Sequence, residues 1–320
     1  MSIQSVADHS PPHTDSAFAR DVIAGLTAEP KWLWAKHFYD EAGSRLFERI
    51  TQVAEYYPTR TELSILRENA ARIAGLFPPG AALVEFGAGS SIKARILLSA
   101  ATSLSAYIPV DISAEFLQRE AAGVARDYRR LDVIPVATDF TQLFALPSAI
   151  DARPRVGFFP GSTIGNFDPE DARAFLARAK QVLGDGALML VGVDLEKDEA
   201  VLNAAYNDAA GVTAAFNMNL LRRINRELGA NIPLGNFEHR AFYNAQRHRI
   251  EMHLVSRAKQ QISICGQHIA FAKGETIHSE SSYKYTVRMF SDLAASAGWK
   301  SLTVFTDAKQ YFSLHVLKAE

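Results

Sequence analysis

From Asp15 onward apolar residues recur at helical spacing: Phe18, Val22, Ile23 and Leu26 fall three and four residues apart, with Asp15 or Ser16 available as the N-cap. A second block, Lys31 to Thr51, reads as helical and unusually aromatic. Its Trp32, Trp34, Phe38, Tyr39, Leu46, Phe47 and Ile50 exceed what one buried stripe requires. The loop AEYYPTR follows, where Pro58 is predicted to end any preceding helix, and Thr59 or Thr61 to start the next one through Ile65, Leu66, Ala70 and Ile73.

After Pro78-Pro79-Gly80 the pattern changes to short apolar runs alternating with helical stretches, which predicts a doubly wound α/β sheet. Strand one is Ala82 to Phe86, strand two Ala106 to Val110 ending at Asp111, and strand three Asp132 to Ala137 ending near Asp139. Strand four is Arg155 to Phe159, and strand five Ala187 to Val193. Between them lies a marked helix, with Asp168 as N-cap, Pro169 at its first position and Gly184 just past its end. From Lys197 to about Lys284 the alternation stops. A long helical region, Asn203 to Leu228, precedes a run of antiparallel strand patterns that includes RIEMHLVS, QQISICG and HIAFAKG. A helix from Val287 to Ala297 and strands at Ser301 to Phe305 and Phe312 to Leu317 close the chain.

The division that follows is a tail over residues 1–15, predicted to be mobile, and an N-terminal helical part of a substrate lobe over 16–60. A Rossmann-like domain spans 61–196 and 285–320, and an inserted α+β substrate domain spans 197–284. With 320 residues there is ample chain for a large core. A formal charge of -1 gives no basic field for nucleic acid or anionic lipid. The single cysteine, Cys265, rules out an internal disulfide framework and a cysteine-rich metal site. The stretch MSIQSVADHSPPHTDS lacks a basic start and an apolar core, and no window approaches the ~18 apolar residues of a membrane span. A soluble cytoplasmic protein, monomeric and without nucleic-acid or membrane partners, is the expectation.

Ligands of open α/β sheets bind at the carboxyl ends of the strands. Gly87-Ala88-Gly89-Ser90-Ser91 after strand one lets backbone approach a ligand, although Ile92 stands where a dinucleotide fingerprint has its third glycine. Asp111 ends strand two, where a carboxylate accepts from both hydroxyls of a ribose, and Asp139 with Phe140 ends strand three, suited to an adenine amine and ring face. Each Asp is also an ordinary turn or helix cap. Acids at strand ends do not by themselves separate a dinucleotide from S-adenosylmethionine. The short glycine turn, Glu85 within strand one, and the Asp139-Phe140 pair favour the latter. The most unusual segment is FFPGSTIGNF, Phe158 to Phe167, which is polar and small where a buried strand should simply end.

The segments PKWLWAKHFYDEAGSRLFERITQVAEYYPTR, VEFGAGSSIKARILL, FFPGSTIGNF, AAYNDAAGVTAAFNMNLLRRINREL, RIEMHL and SESSYKY together resemble the S-adenosylmethionine-dependent histidine Nα-methyltransferases of ergothioneine biosynthesis, from about Pro30 to the C-terminus. The resemblance implies a class I methyltransferase sheet. It assigns Gly87, Lys93, Asp111, Asp139 and Phe140 to the cofactor, and Asn166 and Tyr206 to the α-carboxylate of L-histidine. It sets Tyr56 and Gly161 beside the amino-acid backbone, Glu280 and Ser282 on the imidazole, and Tyr39, Phe47, Thr213, Phe216 and Met252 along the pocket.

Much of this agrees with the chemistry of the residue types. An Asn amide and a Tyr hydroxyl hold a carboxylate without a buried charge, and a carboxylate and a hydroxyl two residues apart on a strand engage both imidazole nitrogens. The bland alternatives are strand decoration for Glu280 and Ser282, and core packing for Met252 and the aromatic block. The implied reaction is in-line displacement by the neutral α-amine, repeated up to three times and needing no metal. The hydroxyls of Tyr39 and Tyr56 are candidates to assist deprotonation, alongside a bound water. Phe159-Pro160, Ser281 and Tyr283 depart from the family pattern without removing a ligand. Rival readings are a methyltransferase for another amino acid or a histidine derivative, a non-catalytic S-adenosylmethionine-binding partner, and a dinucleotide oxidoreductase. A buried Glu280 disfavours an apolar side chain, and the missing third glycine disfavours the oxidoreductase.

Overall fold

The computed structural model describes residues 16–320, so the tail expected over 1–15 lies outside the described residues. The chain forms two compact units. The sheet unit takes Tyr57–Glu199, Asn244–Ile250 and Ser281–Glu320, and the smaller unit takes, among the described residues, 16–56, Ala200–Tyr243 and Glu251–Glu280.

The sheet unit is ordered Trp299–Thr306, Phe312–Ala319, Leu188–Asp194, Arg155–Phe159, Ala82–Phe86, Ala106–Asp111, and then Asp132–Val133, with Val136–Ala137 also pairing Ala106–Asp111. Phe312–Ala319 runs antiparallel to both neighbours, and the central pairs are parallel. Strand one and strand five are buried at every position, Glu85 and Asp194 included, as expected for central strands with helices on both faces. The strand order reverses between strands one and four, which sets the crevice at Gly87 and Gly161.

Strand three is two fragments, not one. Pro135 has no N–H to give the ladder, so pairing lapses between Val133 and Val136. Pro58 does not end a helix; it sits in the first turn of Tyr57–Ala74, where no amide donor is needed. The helix Pro169–Leu183 has the expected bounds, with Gly184 at φ 88° beyond it. Asp168 makes no side-chain cap, however. Its Oδ1 accepts from Tyr283 Oη at 2.8 Å and from Arg249 at 3.3 Å.

In the smaller unit, helix Ala17–Thr27 is capped by Ser16, whose Oγ accepts from the Ala19 amide at 3.1 Å. The expected continuous helix over Lys31 to Thr51 is instead three pieces. Lys31–Trp32 pairs with Ile277 and His278 as a strand, Ala35–Phe38 is a single 3₁₀ turn, and Glu41–Ile50 is the helix proper. Asp40 is the reason for the last break. Its Oδ1 accepts from the Gly43 amide and from the Asn219 side chain, both at 2.7 Å, so it caps a new helix.

The region Asn203 to Leu228 likewise divides, into Glu199–Tyr206 and Val212–Leu228, because Asp208 accepts from the amides of Val212 and Thr213 at 2.8 Å each and restarts the helix. A four-stranded sheet runs Lys31–Trp32, Thr276–Tyr283, Arg249–Ser256, Phe237–Asn244, and Gln260–Ile264 pairs with Gln267–Phe271 as a hairpin. Among the described residues no helix is long and apolar enough to cross a membrane.

Candidate active site

Gly87 follows the carboxyl end of strand one, Asp111 ends strand two, and Gly161 lies just past strand four. Gly87 has φ 71°, a conformation costly for any residue with a Cβ, and a Cβ there would stand 3.2 Å from the Phe140 ring. Phe140 therefore lies directly against the glycine turn. A Cβ on Gly89 would meet nothing within 4 Å, so the turn opens outward. Asp111 is half-buried, its Oδ1 accepting from the Ser113 amide at 2.8 Å. Burial pushes its carboxyl above the ordinary aspartate value, against the pull of the Ser113 and Ile112 amides. Asp139 accepts from the Thr141 amide at 2.9 Å and hydroxyl at 2.6 Å, the turn role its residue type allows.

Lys93 and Gly161 meet at a residue that sequence reasoning missed. Glu62, on helix Tyr57–Ala74, is fully buried, and its two oxygens accept from the Gly161 amide at 2.9 and 3.0 Å. Lys93 Nζ lies 2.5 Å from the same carboxylate. Gly192 makes this possible, because a Cβ there would overlap the Glu62 carboxylate. Nothing in the helical pattern marks Glu62, whose importance comes wholly from its tertiary partners.

A second buried network was also unread. Asp194, at the end of strand five, takes Lys284 at 2.8 Å and Lys197 at 2.6 Å, and accepts from Tyr57 Oη at 2.9 Å. Its amide donates to Ser162 Oγ at 2.9 Å, holding Ser162 at φ 56° inside the FFPGSTIGNF segment. Lys284 Nζ also donates to Ser282 Oγ at 2.8 Å. Burial raises Asp194, but Lys284 and Lys197 outweigh it and hold the carboxyl below its ordinary range. Burial brings Lys197 down to about 8. The sequence signal was available: a lysine between Tyr283 and Tyr285, and an acid ending VGVD.

Asn166 ends the 3₁₀ turn Thr163–Asn166 and is half-buried. That turn packs closely, since a Cβ on Gly165 would stand 2.7 Å from the Tyr283 carbonyl. The sheet unit therefore carries Gly87, Lys93, Asp111, Asp139, Phe140, Gly161, Asn166 and Ser282.

The smaller unit carries Tyr39, Tyr56, Tyr206, Met252 and Glu280. Four aromatic residues form a row: Tyr39 to Phe47 at 5.7 Å, Phe47 to Tyr56 at 6.4 Å, and Tyr56 to Tyr206 at 6.4 Å between ring centroids, each edge-on. Phe216 closes one side, 5.8 Å from Tyr39 and 6.1 Å from Phe47. Aromatic faces attract a cation. Met252 is buried, and its carbonyl accepts from Ser279 Oγ at 3.0 Å. Thr213 is buried at the start of helix Val212–Leu228, and Glu280 is half-buried on Thr276–Tyr283.

A partly desolvated carboxylate therefore ends strand two, a phenyl ring lies against the glycine turn after strand one, and the lysine that follows this turn is anchored on Glu62.

Known proteins bear directly on this arrangement. Residues 18–319 match the family described as histidine-specific, SAM-dependent methyltransferase. The histidine N-alpha-methyltransferase of Mycolicibacterium smegmatis is 42% identical over 304 residues, covering 93% of this chain and 94% of the relative. That of Mycobacterium tuberculosis is 38% identical over 307 residues, covering 93% and 94%. Ergothioneine biosynthesis protein 1 of Neurospora crassa is 31% identical over 307 residues, covering 90% of this chain and 33% of the relative. On this match, extending across both compact units, the chain belongs to the histidine-specific, SAM-dependent methyltransferases.

Proposed function

We propose that this chain methylates the α-amine of L-histidine, three times in succession, and so makes the trimethylammonium betaine of histidine for ergothioneine biosynthesis. The observation that carries the reading is the row of Tyr39, Phe47, Tyr56 and Tyr206. Each methylation moves the nitrogen toward a fixed cation, and aromatic faces stabilise such a charge by about 0.5–2 kcal/mol. Hydroxyl tips on three of the four residues also let the row accept from a nitrogen that still carries hydrogens.

S-adenosylmethionine, when bound, supplies an electrophilic methyl group on a sulfonium sulfur. Gly87, Asp111, Asp139 and Phe140 are its proposed nucleoside contacts, and Lys93 its amino-acid contact. Asn166 and Tyr206 hold the histidine carboxylate, and Gly161 and Tyr56 flank its backbone. Glu280 and Ser282 read the imidazole, the carboxylate accepting its N–H, and Met252 lines the pocket. The hydroxyls of Tyr39 and Tyr56 are the proposed assistants in removing the ammonium proton, alongside a bound water, and the rest of the rate comes from alignment. The relatives' printed names and the family match support histidine as substrate.

Incubation of the purified protein with S-adenosylmethionine and each standard amino acid, followed by mass spectrometry, tests the reading. Gains of one, two and three methyl groups on histidine alone are expected. Gain on another amino acid with none on histidine would overturn it.

A further inference from the structure

Besides the aromatic row, the smaller unit holds a group of metal-ligating side chains. Glu251 and His253 stand two residues apart on Arg249–Ser256, hence on one face of the strand, and His278 stands on the neighbouring strand Thr276–Tyr283. One ligand atom from each of the three lies within 4.8 Å of the other two. Glu251 Oε2 and His253 Nε2 are 3.2 Å apart, and the His253 and His278 ring centroids 4.9 Å apart.

We infer that Glu251, His253 and His278 form a binding site for a divalent transition metal ion. Two ligands each about 2.0 Å from a tetrahedral ion stand about 3.3 Å apart, so the Glu251–His253 edge already has the required length. His278 Nε2 donates to the Glu280 carbonyl at 3.0 Å, which leaves Nδ1 as the lone-pair nitrogen. Ligating histidines are commonly fixed in this way, with the far N–H on a backbone carbonyl. Two imidazoles and one carboxylate select zinc, cobalt or nickel over magnesium or calcium, which take oxygen ligands. The carboxylate belongs to a residue that is 8% exposed, so an ion there would offset a desolvated charge as well as join two strands.

The competing account is a plain hydrogen-bonded pair, with His253 donating to Glu251 and His278 merely adjacent. The two accounts differ in a direct measurement. Full-length untagged protein is stripped with chelator and titrated with Zn²⁺ against a competing indicator dye, and with Co²⁺ by visible absorption. His253→Gln and His278→Gln are titrated in parallel, with circular dichroism confirming their fold; they also separate this site from the other histidines among the nine in the chain. One equivalent bound by the wild type, weakened at least about tenfold in each variant and accompanied by a raised Tm only in the wild type, is the expected result. Equal binding by wild type and both variants, or no binding by any, would leave only the hydrogen-bonded pair and overturn the site.

Discussion

The supports of the loop after strand four and the aromatic row handle charge in opposite ways. In the sheet unit the polar groups behind the strand ends are fixed ions: Asp194 and Lys284 are each 1% exposed and Glu62 is fully buried, and all three are paired. In the smaller unit the row from Tyr39 to Tyr206 is neutral. The fixed ions hold backbone. Asp194 pins Ser162 in a left-handed conformation and Glu62 pins the Gly161 amide, so they set the shape of the loop after strand four. A neutral, amphipathic face is better matched to a nitrogen that changes from amine to permanent cation, because a fixed charge would suit only one of those forms.

This contrast predicts large structural effects from the ions and small, substrate-directed effects from the rings. Asp194→Ala leaves Lys284 buried beside a vacated partner and should cost about 3–5 kcal/mol in urea unfolding; a loss below about 1 kcal/mol would mean that the pair does not hold the fold. Next is Glu85, the buried acid whose close partner is a hydroxyl, that of Tyr107, rather than a cation. Burial pushes its carboxyl up from 4.5 to about 7, the Tyr107 hydroxyl pulling the other way.

The folded state therefore binds this proton more tightly than the unfolded chain. Its contribution is fully present below pH 4.5 and is lost as pH rises through about 7, which amounts to about 3 kcal/mol. Glu85→Gln should remove that fall and be the more stable protein at pH 8. Parallel pH profiles for wild type and variant would contradict the assignment.

Gly192→Ala should cost about 1–3 kcal/mol by displacing the Glu62 carboxylate, and should release Lys93 with it. The smallest stability effect is expected at the rings. Phe47→Leu should change unfolding by less than about 1.5 kcal/mol, yet weaken binding of the trimethylated product by about 0.5–2 kcal/mol in calorimetry. Unchanged product affinity would remove the aromatic row from the site.

The sheet was legible in sequence where one element alone could satisfy the pattern. Ala82–Phe86 and Arg155–Phe159 are short, mostly apolar runs, broken only by Glu85 and Arg155, and are stopped by Gly87 and Pro160, so their bounds could be read directly. Lys31–Trp32 could not be read as a strand, because its pairing partners Ile277 and His278 lie far along the chain. Asp40 and Asp208 were legible in principle as caps. The apolar spacing on either side of each one reads as helical, so it does not register the break that the cap makes.

In the site the difference is between local and tertiary chemistry. The Gly87 turn and the acid ending strand two are recorded in a few adjacent residues. Glu62 gains its importance only by meeting Gly161 and Lys93, and Lys284 only by meeting Asp194.

The central claim is a division of labour, with Asp111 serving the cofactor and Glu280 serving histidine. Calorimetry tests it most directly, with S-adenosylhomocysteine titrated into wild type, Asp111→Ala and Glu280→Ala, and then histidine into each protein saturated with S-adenosylhomocysteine. The account predicts that Asp111→Ala weakens the first titration and largely spares the second, and that Glu280→Ala does the reverse, each by at least about tenfold, or about 1.4 kcal/mol. Equal losses of both ligands in either variant would contradict it.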